Sequence, residues 1–321
     1  MASADLWQLY RIADSYYRRG RTQEEISRKE NISRSQVSRL LDKARDLGIV
    51  RIEVNLPEDL EAEPLKGFLK QHLKLEKLIL VPAEKDWDDH MTADAIARTA
   101  AAQLPRLLKG SMVVGAGWGE TMYRTAAALK HHPIGGDPLV VPLIGTSGSN
   151  NPYLQINTII DRLSDNLGGD SFFANLPAFR EKNVPFTAYE NKRLNMLHEY
   201  WNHVDTAVFG LGSRDSGKGS FDEEVSPASQ QRIWETDVVG DVLAQFFFED
   251  GSFLPKDGSY HTNAFPVERL KSLPRSICLA GGPQKTDALL AGARSGFFKT
   301  LITDTRTAGL LYDKLRSEMT Q

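Results

Sequence analysis

The sequence predicts an α/β protein in two parts: an N-terminal (winged) helix-turn-helix domain, then a larger Rossmann-like domain built on a parallel α/β sheet. Three observations carry this expectation. Two capping-box signatures start helices eleven residues apart within the first 55 residues. From Lys77 onward, short apolar strand-like runs alternate with helical patterns, which implies a parallel sheet covered by helices. Several of these runs end in glycine and lead into a helix, placing backbone N–H groups at the carboxyl edge of the sheet, where such folds bind ligands.

Composition limits the classes of function. With 321 residues, 41% hydrophobic and 25% charged, the chain is long enough for about two globular domains. No run of about 18 apolar residues occurs. The start, MASADLWQLY, is not a basic segment followed by a hydrophobic one, so a soluble, unexported and cytoplasmic protein without membrane contact is expected. The single cysteine, Cys278, lies in the apolar run SICLAGG and is expected to be a buried structural thiol. Net charge is −3, but unevenly spread. Met1 to Asn55 holds 11 Lys and Arg against 8 Asp and Glu, a net of +3, whereas the remainder holds 28 against 34, a net of −6. A basic head on an acidic body fits DNA binding if a reading motif occupies the head.

Such a motif is present. Leu6, Leu9, Ala13, Tyr16 and Tyr17 share one face of a first helix, which Gly20 stops. Thr22 stands three residues before Glu25, and Ser33 three before Gln36, so each pair forms a capping box. The short helix containing Ile26 must end near Glu30, leaving Asn31, Ile32 and Ser33 as a three-residue turn, which is helix-turn-helix spacing. In the third helix Val37, Leu40, Leu41, Ala44 and Leu47 form the apolar stripe. The first turns of a recognition helix meet base edges, so Arg34, Ser35, Gln36, Ser38 and Arg39 are candidates for contacts in the major groove, with Gln36 also a cap. Gln23, Lys43 and Arg18, Arg19 and Arg21 are placed for phosphates, which fix register without reading sequence.

After Gly48, the segment Ile49 to Val54 alternates as a short wing strand would, and Pro57, Glu58 and Asp59 mark a boundary. The division expected is therefore 1–56 for the DNA-binding domain and 57–321 for an effector and oligomerisation domain. A three-helix bundle that binds protein, or nothing, is the alternative for the head. The helix from about Leu60 to Leu73, with Leu65, Phe68, Leu69 and Leu73 on one face, supplies either a dimer contact or packing onto its own domain.

In the large domain the strand-like runs are LILVP, SMVVGAG, PLVVPLIG, DTAVFGLG, SICLAGG and KTLITD. The loop Gly115 to Thr121 has GxGxG spacing, and the next strand ends in Gly145, Thr146 and Ser147 with no acid for a ribose, which argues against a nicotinamide site. The loops GWGET and GTSGSN instead offer amides and hydroxyls suited to one phosphate and to sugar hydroxyls. The bland alternative for each loop is tight strand-to-helix packing.

The stretch AGGPQKTDALLAGARSGFFKTLITDTRTAGLL, from Ala280 to Leu311, with GAGWGET, VPLIG, FGLGS and VVGDVLAQFF in that order, resembles the SorC family of sugar-responsive regulators. The C-terminal domain of that family is related in fold to ribose-phosphate isomerase and glucosamine-phosphate deaminase. The resemblance covers nearly the whole chain, departing at Phe248, where FFF replaces the usual FFD. It implies that Gly119, Glu120 and Thr121 bind a ligand phosphate, beside Gly117, and that Lys285 adds positive charge. It implies further that Asp241 accepts sugar hydroxyls and that Gly145, Thr146, Gly212 and Ser213 line the remaining loops. Asp304 and Thr305 close the region, with a helix N-cap as the other role for Asp304. A tetramer is implied; symmetry of helix-turn-helix proteins on DNA argues for at least a dimer on a pseudo-palindromic operator.

The seven histidines, at 72, 90, 131, 132, 198, 203 and 261, form no HExxH or HxxEH group, and no GxSxG elbow occurs, so neither a metal site nor a hydrolase triad is expected. No cofactor and no catalytic residue is expected. The function expected is a DNA-binding transcription regulator, a repressor of a carbohydrate-utilisation operon, controlled by a phosphorylated sugar. The alternative is an isomerase-like or deaminase-like enzyme carrying a DNA-binding head, in which Lys285, Asp241 and Glu120 serve as acids or bases.

Overall fold

The computed structural model describes residues 3–50, 63–214, 227–255 and 260–320. The chain divides into two compact units, Met1–Glu58 and Asp59–Gln321, each with its own core.

The small unit consists of α1 (Ser3–Ala13), a π-helical turn at Asp14–Arg18, α2 (Gln23–Glu30) and α3 (Arg34–Asp46). Both capping boxes form. Thr22 Oγ1 accepts from the Glu25 amide at 3.2 Å while the Glu25 carboxylate accepts from the Thr22 amide at 2.8 Å. Ser33 Oγ accepts from the Gln36 amide at 3.2 Å, and Gln36 Oε1 from the Ser33 amide at 2.9 Å. Each box satisfies amides that a helix start leaves without partners, so both starts are fixed. Asn31, in the left-handed region at φ 54°, ends α2 and opens the turn.

The core of this unit joins Leu9, Ile12 and Ala13 of α1 to Ile26 of α2 and to Val37, Leu41 and Ala44 of α3. Three stripe residues do not join them. Leu6 is 43% and Tyr17 39% exposed. The cause is twofold: Ile12 takes the inner position next to Ala13, and the π-helical turn inserts a residue that rotates Tyr17 outward while Tyr16 stays inside. Leu47 stands as the C-cap residue of α3, where the chain leaves the helix, and is 42% exposed. Ile49 and Val50 pack against the core edge. Residues 51–54, on which the wing strand rests, lie outside the described residues.

The large unit is built on seven parallel strands: β1 (Lys77–Val81), β2 (Val113–Ala116), β3 (Leu139–Pro142), β4 (Asp170–Ser171), β6 (Thr206–Phe209), β11 (Arg275–Leu279) and β12 (Thr300–Asp304). Their order is β1-β12-β11-β6-β2-β3-β4. All six apolar runs became strands; β4 adds a two-residue edge. Side chains alternate between the two faces as the pleat demands. Ala207 and Phe209 join one core and Val208 the other, and Cys278 faces opposite to Ile277 and Leu279. One face is covered by α5 (Asp89–Leu107), α6 (Glu120–Ala128) and α7 (Ile156–Leu167), the other by α4 (Glu63–His72), α8 (Ala188–His203), α10 (Thr286–Arg294) and α11 (Thr305–Met319).

The helix expected at the domain boundary resolves against a dimer contact. Leu69 and Leu73 are fully buried, Leu65 and Phe68 pack on the same core, and the Phe68 ring lies 4.7 Å from that of Tyr312 in α11. Its apolar face is thus used within its own domain. Two small antiparallel sheets complete the unit, β5 (Phe179–Glu181) with β10 (Tyr260–Thr262), and β7 (Gly212–Ser213), β8 (Gly240–Val242) and β9 (Gln245–Phe247). Helix α9 (Pro227–Trp234) precedes β8.

The strand order fixes where a ligand fits. From β2 the chain winds through β3 to the β4 edge, whereas from β6 it winds the other way through β11 to β12, beside which the first strand, β1, forms the far edge. The direction reverses between the adjacent strands β2 and β6, and their loops diverge there to leave a crevice beyond their carboxyl ends.

Candidate functional site

A cavity of about 390 Å³ occupies that crevice. Its walls come from the loops after β2, β3, β6 and β11, from the start of α5, and from Asp241 and Leu243 of the β8–β9 hairpin.

Helix α6 points its amino end into the cavity. Its N-cap is Gly119, at φ 119° and ψ 162°, a conformation essentially reserved for glycine, and no side chain caps the helix. The Gly119 amide is spent on the Tyr153 carbonyl at 2.9 Å, which corrects its expected role as a phosphate donor. The first helical bond runs from the Tyr123 amide to the Gly119 carbonyl at 2.9 Å. The amides of Glu120, Thr121 and Met122 therefore have no partner within the helix and face the crevice with the positive end of the helix dipole.

Opposite stands Lys285, at the end of a 3-10 turn, Pro283–Lys285, that leads into α10. It lines the cavity, and among the described residues its ammonium has no hydrogen bond or ion pair. Burial pushes its pKa down, opposed by the carboxylates of Asp241, Asp89 and Glu120. Asp241 faces the same space; burial pushes its carboxyl up to about 6, against the pull of the Lys285 charge and a hydrogen bond from the Ala244 amide. Both side chains keep some surface in the cavity, yet enough protein surrounds them that burial is the first cause of each shift. Cys278 is fully buried and its thiol is pushed up to about 12, as an inert structural cysteine should be.

The Lys285 loop is held from below. Asp304 Oδ2 accepts from the Gly282 amide at 2.8 Å and from Thr307 Oγ1 at 2.6 Å, and Oδ1 accepts from the Thr307 amide at 2.9 Å. Asp304 thus caps α11 and ties the AGGPQK turn to the next strand. Thr305 Oγ1 accepts from the Ala83 amide at 3.0 Å. Neither residue lines the cavity.

At the mouth, Glu120 Oε1 accepts from His90 Nδ1 at 2.6 Å and from Arg124 Nε at 2.9 Å. The Glu120 carboxylate pushes the His90 pKa up, chiefly through that hydrogen bond. Arg124 also reaches the Tyr153 hydroxyl at 3.3 Å and lies 5.7 Å from its ring.

The structure brings Gly119, Glu120, Thr121, Gly212, Asp241 and Lys285 together around one cavity. It does not bring Gly117, Gly145, Thr146 or Ser213 there. Gly117 donates to the Val208 carbonyl at 2.9 Å, and a Cβ there would meet Leu243 Cδ2 at 2.9 Å. A Cβ on Gly145 would stand 2.6 Å from the Leu176 carbonyl oxygen and the Ala178 amide nitrogen, and Thr146 Oγ1 donates to the Leu176 carbonyl at 3.1 Å. Ser213 is only 3% exposed within β7. For Gly117 and Gly145 the close approach of neighbouring atoms accounts for glycine, while Thr146 and Ser213 lie in the packed strand ends beside them. Sequence reasoning missed Asp89, His90, Asn151, Tyr153 and Gln284. Asn151 and Tyr153 directly extend the GTSGSN loop; no local pattern marks His90, which meets Glu120 only through the packing of α5 on α6.

In the small unit Arg34, Ser35, Gln36, Arg39 and Lys43 are exposed on α3, with Ser38 and Gln23 half-buried. The Gln36 carbonyl oxygen is engaged in the cap. Arg11, Arg19, Arg28 and Arg45 pair with Glu30, Asp14, Glu24 and Asp42. Arg18 also pairs with Asp14, at 3.9 Å. Among the described residues Arg21, Arg34, Arg39 and Lys43 make no such pair; Arg21 precedes α2, Arg34 and Arg39 lie in the first half of α3, and Lys43 lies in its last turn. No group of three or more His, Cys, Asp or Glu among the described residues could hold a metal, and no helix there is long and apolar enough to cross a membrane.

Residues 60–312 match the family model described as "Putative sugar-binding domain". The sorbitol operon regulator of Klebsiella pneumoniae is 26% identical over 316 residues, covering 96% of this chain and 98% of that protein. The crystal structure of that full-length regulator, SorC, superposes with a TM-score of 0.79 at 25% identity, covering 97% of this chain and 99% of that one. The chain belongs to the SorC family. A deoxyribonucleoside regulator of Bacillus subtilis is 27% identical over 317 residues, covering 94% of this chain and 95% of that protein. The transcriptional regulator LsrR of Escherichia coli is 28% identical over 314 residues, covering 95% and 94%. These SorC-family relatives are named as transcription regulators and not as enzymes, so the enzyme alternative loses its support. The chain is a transcription regulator with a sugar-binding domain.

Proposed function

We propose that the cavity between α6 and Lys285 binds a phosphorylated sugar, and that occupancy changes how α3 of the small unit engages operator DNA. One observation carries the proposal: three amides at the positive end of α6 with no partner within the helix face a half-buried lysine that, among the described residues, makes no hydrogen bond or ion pair, across a space of about 390 Å³. Such an arrangement is complementary to a dianion. Asp241 suits the hydroxyl end of the ligand as an acceptor. Relatives named as a sorbitol operon regulator and a deoxyribonucleoside regulator support a carbohydrate as the ligand class and a carbohydrate-utilisation operon, with this chain as its repressor, as the target.

The DNA contacts belong to Arg34, Ser35, Gln36, Ser38 and Arg39 for bases and to Gln23, Arg21 and Lys43 for phosphates. The two-fold logic of helix-turn-helix binding calls for a dimer or tetramer on a pseudo-palindromic site, acting in the cytoplasm. A thermal-shift panel of sugar phosphates and their unphosphorylated forms tests the site. A ligand at a hundred times its Kd adds about 2.7 kcal/mol of apparent stability. The shift should require the phosphate and vanish in Lys285→Ala. A Lys285→Ala protein with the full wild-type shift would move the phosphate site elsewhere.

A further inference from the structure

Glu120 is the first residue of α6, and its amide is one of the three exposed at that helix end. A carboxylate there is itself an anion suited to fold onto those amides and exclude a ligand. It does not, because Oε1 is drawn outward by His90 Nδ1 at 2.6 Å and by Arg124 Nε at 2.9 Å. Arg124 is fixed in turn by the Tyr153 hydroxyl at 3.3 Å and by Asp94 at 3.7 Å. A second feature marks the same space for an anion: Lys285, half-buried and, among the described residues, without a hydrogen bond or ion pair, lines it with His90 and Glu120.

We infer that His90 and Arg124 are positioning residues that hold the Glu120 carboxylate off the amino end of α6, so that the charge on His90 sets how strongly this end holds a phosphate dianion. The inference rests on the phosphate reading of the cavity proposed above. The charged groups around His90 are Glu120 and Arg124 of α6, Asp88, Asp89 and Asp94 at the start of α5, and Lys285 across the cavity. Glu120 and Asp88 raise the His90 pKa above its ordinary value, whereas Arg124 and burial lower it, and Glu120 prevails. His90 is therefore charged below its raised pKa and neutralises the Glu120 carboxylate there. As pH rises through that value, the carboxylate regains its full repulsion of a bound anion.

The test is calorimetric titration of inorganic phosphate into the full chain between about pH 6 and pH 9. The phosphate's own titration is common to all variants and cancels in the ratio of dissociation constants. His90→Gln should weaken phosphate about threefold near pH 6 and leave it unchanged near pH 9. Glu120→Gln should strengthen phosphate by a similar factor and abolish the effect of His90→Gln in the double variant. Arg124→Lys, which keeps the charge, should weaken phosphate less than Arg124→Ala. Parallel pH profiles for wild type and His90→Gln, or weaker binding in Glu120→Gln, overturn the inference. Wild type that does not bind phosphate, or Lys285→Ala that binds it undiminished, overturns the site itself, a failure distinct from the first two.

Discussion

Gly212 and Asp241 face each other across the β7–β8 pair, and a Cβ on Gly212 would lie 2.0 Å from Asp241 Oδ1. The missing side chain is what leaves room for the carboxylate at the cavity wall. Gly212→Ala should therefore swing the Asp241 side chain aside without unfolding the protein, since only the end of a short side chain must move. Affinity for a sugar phosphate should fall about tenfold, the worth of one charge-assisted hydrogen bond. Calorimetric titration of the ligand found by thermal shift checks this; an unchanged Kd would show that Asp241 does not contact it.

The Asp241 carboxyl titrates at about 6 in the folded chain, against an ordinary 3.8. Between these values the native state holds a proton that the unfolded chain has released, so stability falls as pH rises through the window from about 4 to about 6 and is level above it. The loss is on the order of 2 kcal/mol, after allowance for the surface Asp241 keeps in the cavity. Asp241→Asn should remove this slope and leave the ligand-free protein more stable at pH 7. Denaturant melts of both proteins across that window settle it, and identical slopes would refute the burial of the charge.

How much was legible in the sequence depended on how local the cause was. The helix starts at Thr22 and Ser33 depend on residues three apart, and the six main strands on continuous apolar runs, so both were readable. The β8–β9 hairpin was not. Its two loop residues, Leu243 and Ala244, take φ of 49° and 58°, where Gly or Asn is the usual signal. Tyr17 was misplaced because nothing in the residue types announces a π-helical turn. In the site, Gly119 and Lys285 followed from motif resemblance, but glycine alone does not tell close packing from ligand approach. Gly117 and Gly145 look like Gly119 in sequence and are pressed against backbone or side chains, whereas a Cβ on Gly119 would meet open space. His90 was invisible because thirty residues separate it from Glu120.

Among the described residues Arg34 and Arg39, exposed in the first half of α3, have no carboxylate partner, unlike Arg28 and Arg45, which pair with Glu24 and Asp42. If they read bases, Arg34→Ala and Arg39→Ala should each cost about 1 to 3 kcal/mol of operator binding and relax specificity at one position. Arg28→Ala should change binding little. Ligand-induced stabilisation of the large unit should be the same in all three. Gel-shift titrations at fixed salt check it, and operator affinity equal to wild type in both α3 variants would remove the recognition assignment.

Asp304 is 1% exposed and accepts hydrogen bonds from Gly282, Thr307 and the Thr307 hydroxyl. Asp304→Ala strands the buried Thr307 amide and hydroxyl, leaves the Gly282 amide only Thr307 Oγ1, and removes the cap of α11, which together should cost about 3 kcal/mol. The consequence reaches the site because Gly282 begins the turn that ends at Lys285. Thermal melts should show the loss of stability, and the phosphate-dependent shift should shrink even at temperatures where the variant is fully folded. Asp304→Asn keeps an acceptor for one amide and should recover part of both. A variant that loses stability but binds a sugar phosphate as wild type does would show that the Lys285 turn holds its place without Asp304.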